Sequence, residues 1–213
     1  MVGLIGPNGS GKTTLFNCIA GVFRPDSGRI LFRDRDVTGL SPSHLCRLGI
    51  GRTFQLVRPF PNLSALENVA VGRIYGREPA RDRRQAEAEA MALLAEVGLA
   101  DRAQAPARSF TLVGRKRLEL ARALATQPRL LLLDELLAGL NPSEILDATQ
   151  LIQRVRSSGV AIILVEHLVK TVFELADRVV VMNAGETIAE GHPSVIAEDP
   201  RVVDAYLGTT VRA

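Results

Sequence analysis

Short apolar runs alternate with amphipathic stretches along this chain. Val2, Leu4 and Ile5 form the first run, and a glycine-rich turn follows at once. Residues 13–20 then place Leu15, Phe16 and Ile19 on one side of a helix that Gly21 stops. Residues 28–32 read as a strand leaving the Pro25-Asp26-Ser27-Gly28 turn. Ser41 with Pro42 behind it marks a helix start, and residues 50–54 a strand ending at Gln55. The character changes across residues 56–108. Within that stretch residues 82–97 are rich in Ala and Glu, carry Ala90, Leu93, Leu94 and Val97 at helical spacing, and stop at Gly98. Residues 115–125 predict a further helix. Residues 129–133, 160–165 and 178–182 are almost wholly apolar, the pattern of strands covered on both faces. Asn141-Pro142-Ser143-Glu144 opens the helix between the first two, with Asn as cap, Pro in the first turn and Glu reaching back. The alternation predicts an α/β fold, a parallel sheet flanked by helices with a helical insertion.

Composition narrows the function classes. At 213 residues, with 46% hydrophobic and 23% charged, the chain can bury a core without disulfides or metals. Trp is absent and only 4% is aromatic, which argues against a stacking surface for single-stranded nucleic acid. The net charge of +3 comes with no long basic block, so nucleic acid is not expected as a partner. Cys18 and Cys46 match no zinc spacing, and Cys18, among Phe16, Ile19 and Ala20, reads as a core residue. Such cysteine usage fits a reducing, cytoplasmic compartment. The longest apolar run, residues 160–165, is far short of a membrane span. Any membrane association is therefore expected through a partner.

The chemistry begins at Gly6-Pro7-Asn8-Gly9-Ser10-Gly11-Lys12-Thr13, followed by Thr14. This is the full spacing of a phosphate-binding loop, with an apolar strand before it and a helix after it. Glycines let successive backbone N–H groups curl toward phosphate oxygens. The helix start adds its positive end. Lys12 supplies a charge to the β and γ phosphates, and Thr13 a hydroxyl for Mg²⁺. A second apolar run ends in Asp134 and Glu135. It delivers two carboxylates to the edge of the sheet where ligands bind. Asp134 suits Mg²⁺ held through its water shell, and Glu135 suits the orientation of an attacking water. A third run ends in Glu166 and His167, which puts His167 within reach of a γ-phosphate. Gln55, at the end of its own strand, offers an amide to Mg²⁺ or to the water.

The order of these motifs resembles the ATP-binding-cassette (ABC) ATPases over nearly the whole chain. Finer strings, Gly51-Arg52-Thr53-Phe54-Gln55, Ala138-Gly139-Leu140-Asn141-Pro142 and residues 199–208, look like the ATPase subunits of bacterial branched-chain amino-acid importers. The resemblance implies a nucleotide-binding lobe formed by residues 1–56 and 109–213 and a helical subdomain at 57–108. It implies ATP and Mg²⁺ as cofactors and a second ATPase subunit paired head to tail. Membrane permease subunits and, indirectly, an external solute-binding protein would complete the assembly. Its place would be peripheral, at the cytoplasmic face of a bacterial inner membrane. Each ATP would lie between one subunit's phosphate loop and the other's signature. Here that signature is Phe110-Thr111-Leu112-Val113-Gly114, where the family has Leu-Ser-Gly-Gly-Gln. Thr111 keeps the hydroxyl and Gly114 the sole glycine, and both are expected to face the partner's ATP. Leu136 stands where the family has Pro. The family also has strands and an adenine-stacking aromatic before the phosphate loop, so such a segment is expected to be missing here. Arg115, Lys116 and Arg117 sit at the positive end of a helix, where they are expected either to meet an anion or to form a solvated basic turn. Two other readings stay open: a non-hydrolysing partner subunit with an eroded signature, and a cassette ATPase not tied to transport.

Overall fold

The computed structural model of the chain describes residues 1–54 and 59–207. Six strands form one sheet in the order β4-β5-β6-β1-β7-β8. They are β1 (Val2–Ile5), β4 (Ile50–Arg52), β5 (Leu130–Asp134), β6 (Ala161–Val165), β7 (Arg178–Asn183) and β8 (Glu186–Gly191). The pairs from β4 through β7 are parallel, and β8 closes one edge antiparallel to β7. Side chains alternate between the two faces of a strand, and both faces here are covered. On β5, Leu131 and Leu133 belong to one buried cluster while Leu132 belongs to the other. On β1, Ile5 and Leu4 divide in the same way.

The smaller cluster lies under α1 (Lys12–Ile19) and α2 (Pro42–Leu48), with Phe16 and Leu45 at its centre. The larger one takes in α5 (Leu112–Ala125), α6 (Pro142–Ser157) and α7 (Val169–Leu175). It continues into α3 (Ala65–Tyr75) and α4 (Arg83–Glu96), which pack on each other and on α5. The α3–α5 approach is close: a Cβ on Gly72 would stand 2.7 Å from the Ala125 Cβ. Buried Arg73 of α3 is ion-paired with Glu89 of α4. The described residues close with α8 (Pro193–Ile196) and α9 (Pro200–Leu207). Among the described residues no helix is long and apolar enough to cross a membrane.

The α6 start is the predicted one: Asn141 Oδ1 accepts from the Glu144 N–H at 3.0 Å and Glu144 returns the bond at 2.8 Å. Other expectations need correction. The strand at 28–32 shrinks to β2 (Leu31–Phe32), paired with β3 (Arg35–Asp36), because Arg33 and Asp34 take φ of 52° and 62° and turn the chain back. The strand at 50–54 ends at Arg52, and Gln55 lies outside the described residues. Leu15 is 38% exposed and Cys18 is half-buried, since only the Phe16 side of the short α1 meets the sheet.

Candidate active site

β1 ends at the centre of the sheet, and its next residue has to be glycine. Gly6 has φ 152°, and a Cβ there would lie 2.1 Å from the Met182 carbonyl oxygen of β7. The loop then turns through Gly9 at φ 78° and enters α1 at Gly11, φ 99°. It is braced from the side, because the Gly185 N–H in the β7–β8 turn donates to the Ser10 carbonyl at 3.1 Å. Lys12 is buried and arches back over the loop. Its Nζ donates to the carbonyls of Gly6 at 2.7 Å and Pro7 at 3.0 Å. Burial lowers the Lys12 pKa, and the nearby Glu135 carboxylate opposes that shift.

Two more strand ends arrive beside this loop. After Asp134, Glu135 turns out of β5 with φ 48°, a conformation a non-glycine residue holds only when its surroundings enforce it. Its Oε1 lies 2.7 Å from Nε2 of His167, just past the end of β6. Asn8, Gly9, Ser10, Gly11, Lys12, Thr13, Thr14, Glu135 and His167 line a single cleft of about 210 Å³. Gly6 and Pro7 lie outside that lining, and the loop carbonyls that hold Lys12 are theirs. An ammonium group, a turn of glycine N–H groups, a carboxylate and an imidazole thus face one space, a set suited to a polyphosphate and an attacking water.

Asp134 does not line that cleft. It is buried, 4% exposed, and its Oδ2 accepts from Arg52 Nη2 at 2.8 Å. Arg52 also reaches Asn17 of α1 at 2.6 Å and lies over the rings of Phe16 and Phe54. Mg²⁺ fits the donors present on chemical grounds. Thr13 and Asp134 offer hard oxygen donors, and among the described residues no cluster of three His, Cys, Asp or Glu forms a self-sufficient cage. A cation that keeps most of its waters and takes phosphate oxygens needs only such a partial set.

The signature segment lies elsewhere. Thr111 caps α5, its Oγ1 accepting the Gly114 N–H at 3.3 Å. Neither residue lines the phosphate-loop cleft. Gly114 is packed tightly, since a Cβ there would meet the Phe110 ring at 2.8 Å. The helix starts at Leu112, three residues before the expected 115. Two of the three expected anion-facing cations are otherwise engaged. Lys116 is buried and spends its donors on the carbonyls of Glu135, Leu136 and Ala138. Arg117 pairs with Asp147 of α6.

The profile of the ABC transporter family matches residues 1–138. The chain is 41% identical over 221 residues to the high-affinity branched-chain amino acid transport ATP-binding protein LivG of Escherichia coli, covering 98% of this chain and 87% of that protein. This chain belongs to the ABC transporter family. A second profile, that of branched-chain amino acid ATP-binding cassette transporters, matches residues 186–211. Among solved structures, an ATP-binding cassette of an ABC transporter in its ADP conformation is 31% identical, with TM-score 0.87 over 98% of this chain and 87% of that one. A dimeric cassette in a post-hydrolysis state, bound to ADP and Pi, is 25% identical, with TM-score 0.81 over 91% of this chain and 85% of that one.

Four contacts of this ABC chain escape a reading of its motifs. They are the Arg52–Asp134 pair, the Lys116 contacts, a bond between the buried Glu166 and the Leu137 N–H, and a bond between the Gly6 backbone and Tyr206 of α9. Glu166 alone left a signal, as a carboxylate directly after an apolar strand.

Proposed function

We propose that the chain is the ATP-hydrolysing motor subunit of an ABC importer for branched-chain or other hydrophobic amino acids. The observation that carries this reading is the single cleft shared by the phosphate loop, Glu135 and His167. Backbone N–H groups of residues 8–14 and Lys12 hold the triphosphate. Thr13, Gln55 and, through a water, Asp134 would hold Mg²⁺, which when bound would supply charge neutralisation to the phosphates. Glu135 orients the attacking water and His167 contacts the γ-phosphate while holding the Glu135 carboxylate. Preorganised dipoles and cations then stabilise the charge that spreads over the transferred phosphoryl group.

The same reading has two copies, or this chain and a related one, pairing so that Thr111 and Gly114 face the partner's nucleotide. The helical segment at 57–108 would form the subdomain that meets the membrane subunits, at the cytoplasmic face of the membrane. A bound external solute-binding protein would select the solute. The test is purification of the transporter from its native membranes through a tag on this chain, followed by reconstitution into vesicles. ATP-driven uptake of leucine, isoleucine or valine supports the reading. A complex that hydrolyses ATP and moves none of the three refutes the substrate class. A chain that binds ATP and hydrolyses none in that complex refutes the motor role.

A further inference from the structure

The segment just after the β5 strand is held from two sides by charged groups that the motifs above do not use. Lys116 projects from the second turn of α5. Its Nζ donates to the carbonyls of Glu135 at 3.0 Å, Leu136 at 2.8 Å and Ala138 at 2.6 Å. An ammonium has three protons, so this group is fully spent on three carbonyls within four residues. From the end of β6, Glu166 takes the Leu137 N–H at 2.7 Å. Both groups are buried, Lys116 at 6% and Glu166 at 2% exposure.

What they surround is the residue whose backbone most needs holding. Glu135 has φ 48°. A non-glycine residue in that region costs about 1–3 kcal/mol and persists where neighbours over-determine it. The conformation aims the Glu135 side chain into the phosphate-loop cleft, where His167 meets it. The Glu135 N–H is fixed by the Val165 carbonyl at 3.0 Å, and its own carbonyl by Lys116. We propose that Lys116 and Glu166 are positioning residues for hydrolysis, clamping residues 135–138 so that the Glu135 carboxylate stays aligned on the attacking water. The proposal rests on the reading of Glu135 as the water-orienting carboxylate.

Aligning Glu135 on the water bears on turnover rather than on nucleotide binding, because the clamped backbone of residues 135–138 is separate from the phosphate loop. A misplaced reacting group of about 1 Å costs on the order of 10²-fold. The assay therefore measures kcat and KM for ATP in the purified transporter, ATP affinity by equilibrium binding, and the unfolding midpoint. Lys116→Met should lower kcat by about 10–100-fold with ATP affinity within about threefold of the parent. Lys116→Arg, which keeps a cationic donor, should recover most of that loss. Glu166→Leu loosens the same segment from the other side and should lower kcat alone in the same way. It carries the test by itself if Lys116→Met does not fold. Glu135→Gln is the control for the underlying reading. If it abolishes turnover while Lys116→Met and Glu166→Leu leave kcat within twofold, the clamp is overturned and the catalytic carboxylate stands. A fall in kcat matched by an equal fall in ATP affinity overturns the clamp as well. Parent-like turnover in Glu135→Gln overturns both.

Discussion

Replacing Glu166 by Gln should change how stability depends on pH. Glu166 is buried at the end of β6, and burial pushes its pKa up from 4.5 to about 7. The Leu137 N–H and the Lys116 ammonium from α5 pull it down, Glu135 from the end of β5 pushes it up, and the neighbouring His167 pulls it down. A carboxyl group whose proton is held more tightly in the folded state adds stability while it is protonated. That stability is fully present below pH 4.5 and is lost as pH rises toward and through about 7. A tenfold change in proton affinity is worth about 1.4 kcal/mol, so the whole span corresponds to about 3 kcal/mol. Gln has nearly the same shape, can still accept the Leu137 N–H, and does not titrate. The Gln variant should therefore gain on the parent by about 2–3 kcal/mol between pH 5 and pH 8. For a chain of this size that is roughly 5–10 °C in unfolding midpoint. Urea unfolding of both proteins at pH 5, 6, 7 and 8, without nucleotide, gives the difference directly. A stability difference that stays flat across those four values refutes a Glu166 that titrates inside the fold.

Three other substitutions test separate parts of the argument. Glu135→Gln should lower ATP turnover by about 10²–10⁴-fold and leave equilibrium ATP binding intact; a variant that hydrolyses like the parent removes Glu135 from the mechanism. Lys12→Met should weaken ATP binding by about 10–100-fold, the worth of a lost charged hydrogen bond of about 1.5–3 kcal/mol, as read by calorimetric titration. Gly72→Ala puts a Cβ 2.7 Å from the Ala125 Cβ and 2.8 Å from the Arg122 carbonyl oxygen, so it should destabilise by about 1–3 kcal/mol in urea unfolding. A neutral result there would mean that α3 and α5 yield freely.

The buried strands were legible because burial on both faces leaves almost no polar residue in them: residues 130–133 and 161–165 need no partner to be recognised. β8 is different. Its Glu186, Thr187 and Glu190 are exposed on an edge strand, and only Ala189 is buried. The sequence therefore carries little apolar signal for pairing with β7. The loop, the Asp134-Glu135 pair and His167 were legible for another reason, since each follows a strand that itself can be recognised. The long-range polar contacts were not. Arg52 and Asp134 meet across a parallel strand pair, and nothing local in either segment announces the other. Lys116 looks like a surface cation between two arginines. Helical geometry turns it inward while Arg115 stays exposed, and only the position of residues 135–138 gives its charge a use.

The placement of β1 has a consequence for synthesis. β1 pairs on one side with β6, Val2 opposite Ile163, and on the other with β7, Val2 opposite Arg178. Neither neighbour exists until about 160 residues after β1 have been made. At about 5–20 residues per second, the phosphate loop emerges from the ribosome roughly ten to thirty seconds before anything can hold it in place. Gly6 meets the Met182 carbonyl only after that interval. The nucleotide site is thus among the last parts of the molecule to become competent, although its loop precedes both β6 and β7 in the chain. The nascent chain should show no ATP protection until β7 has cleared the exit tunnel, and a truncation that removes β7 should lose ATP binding while keeping every residue of the loop.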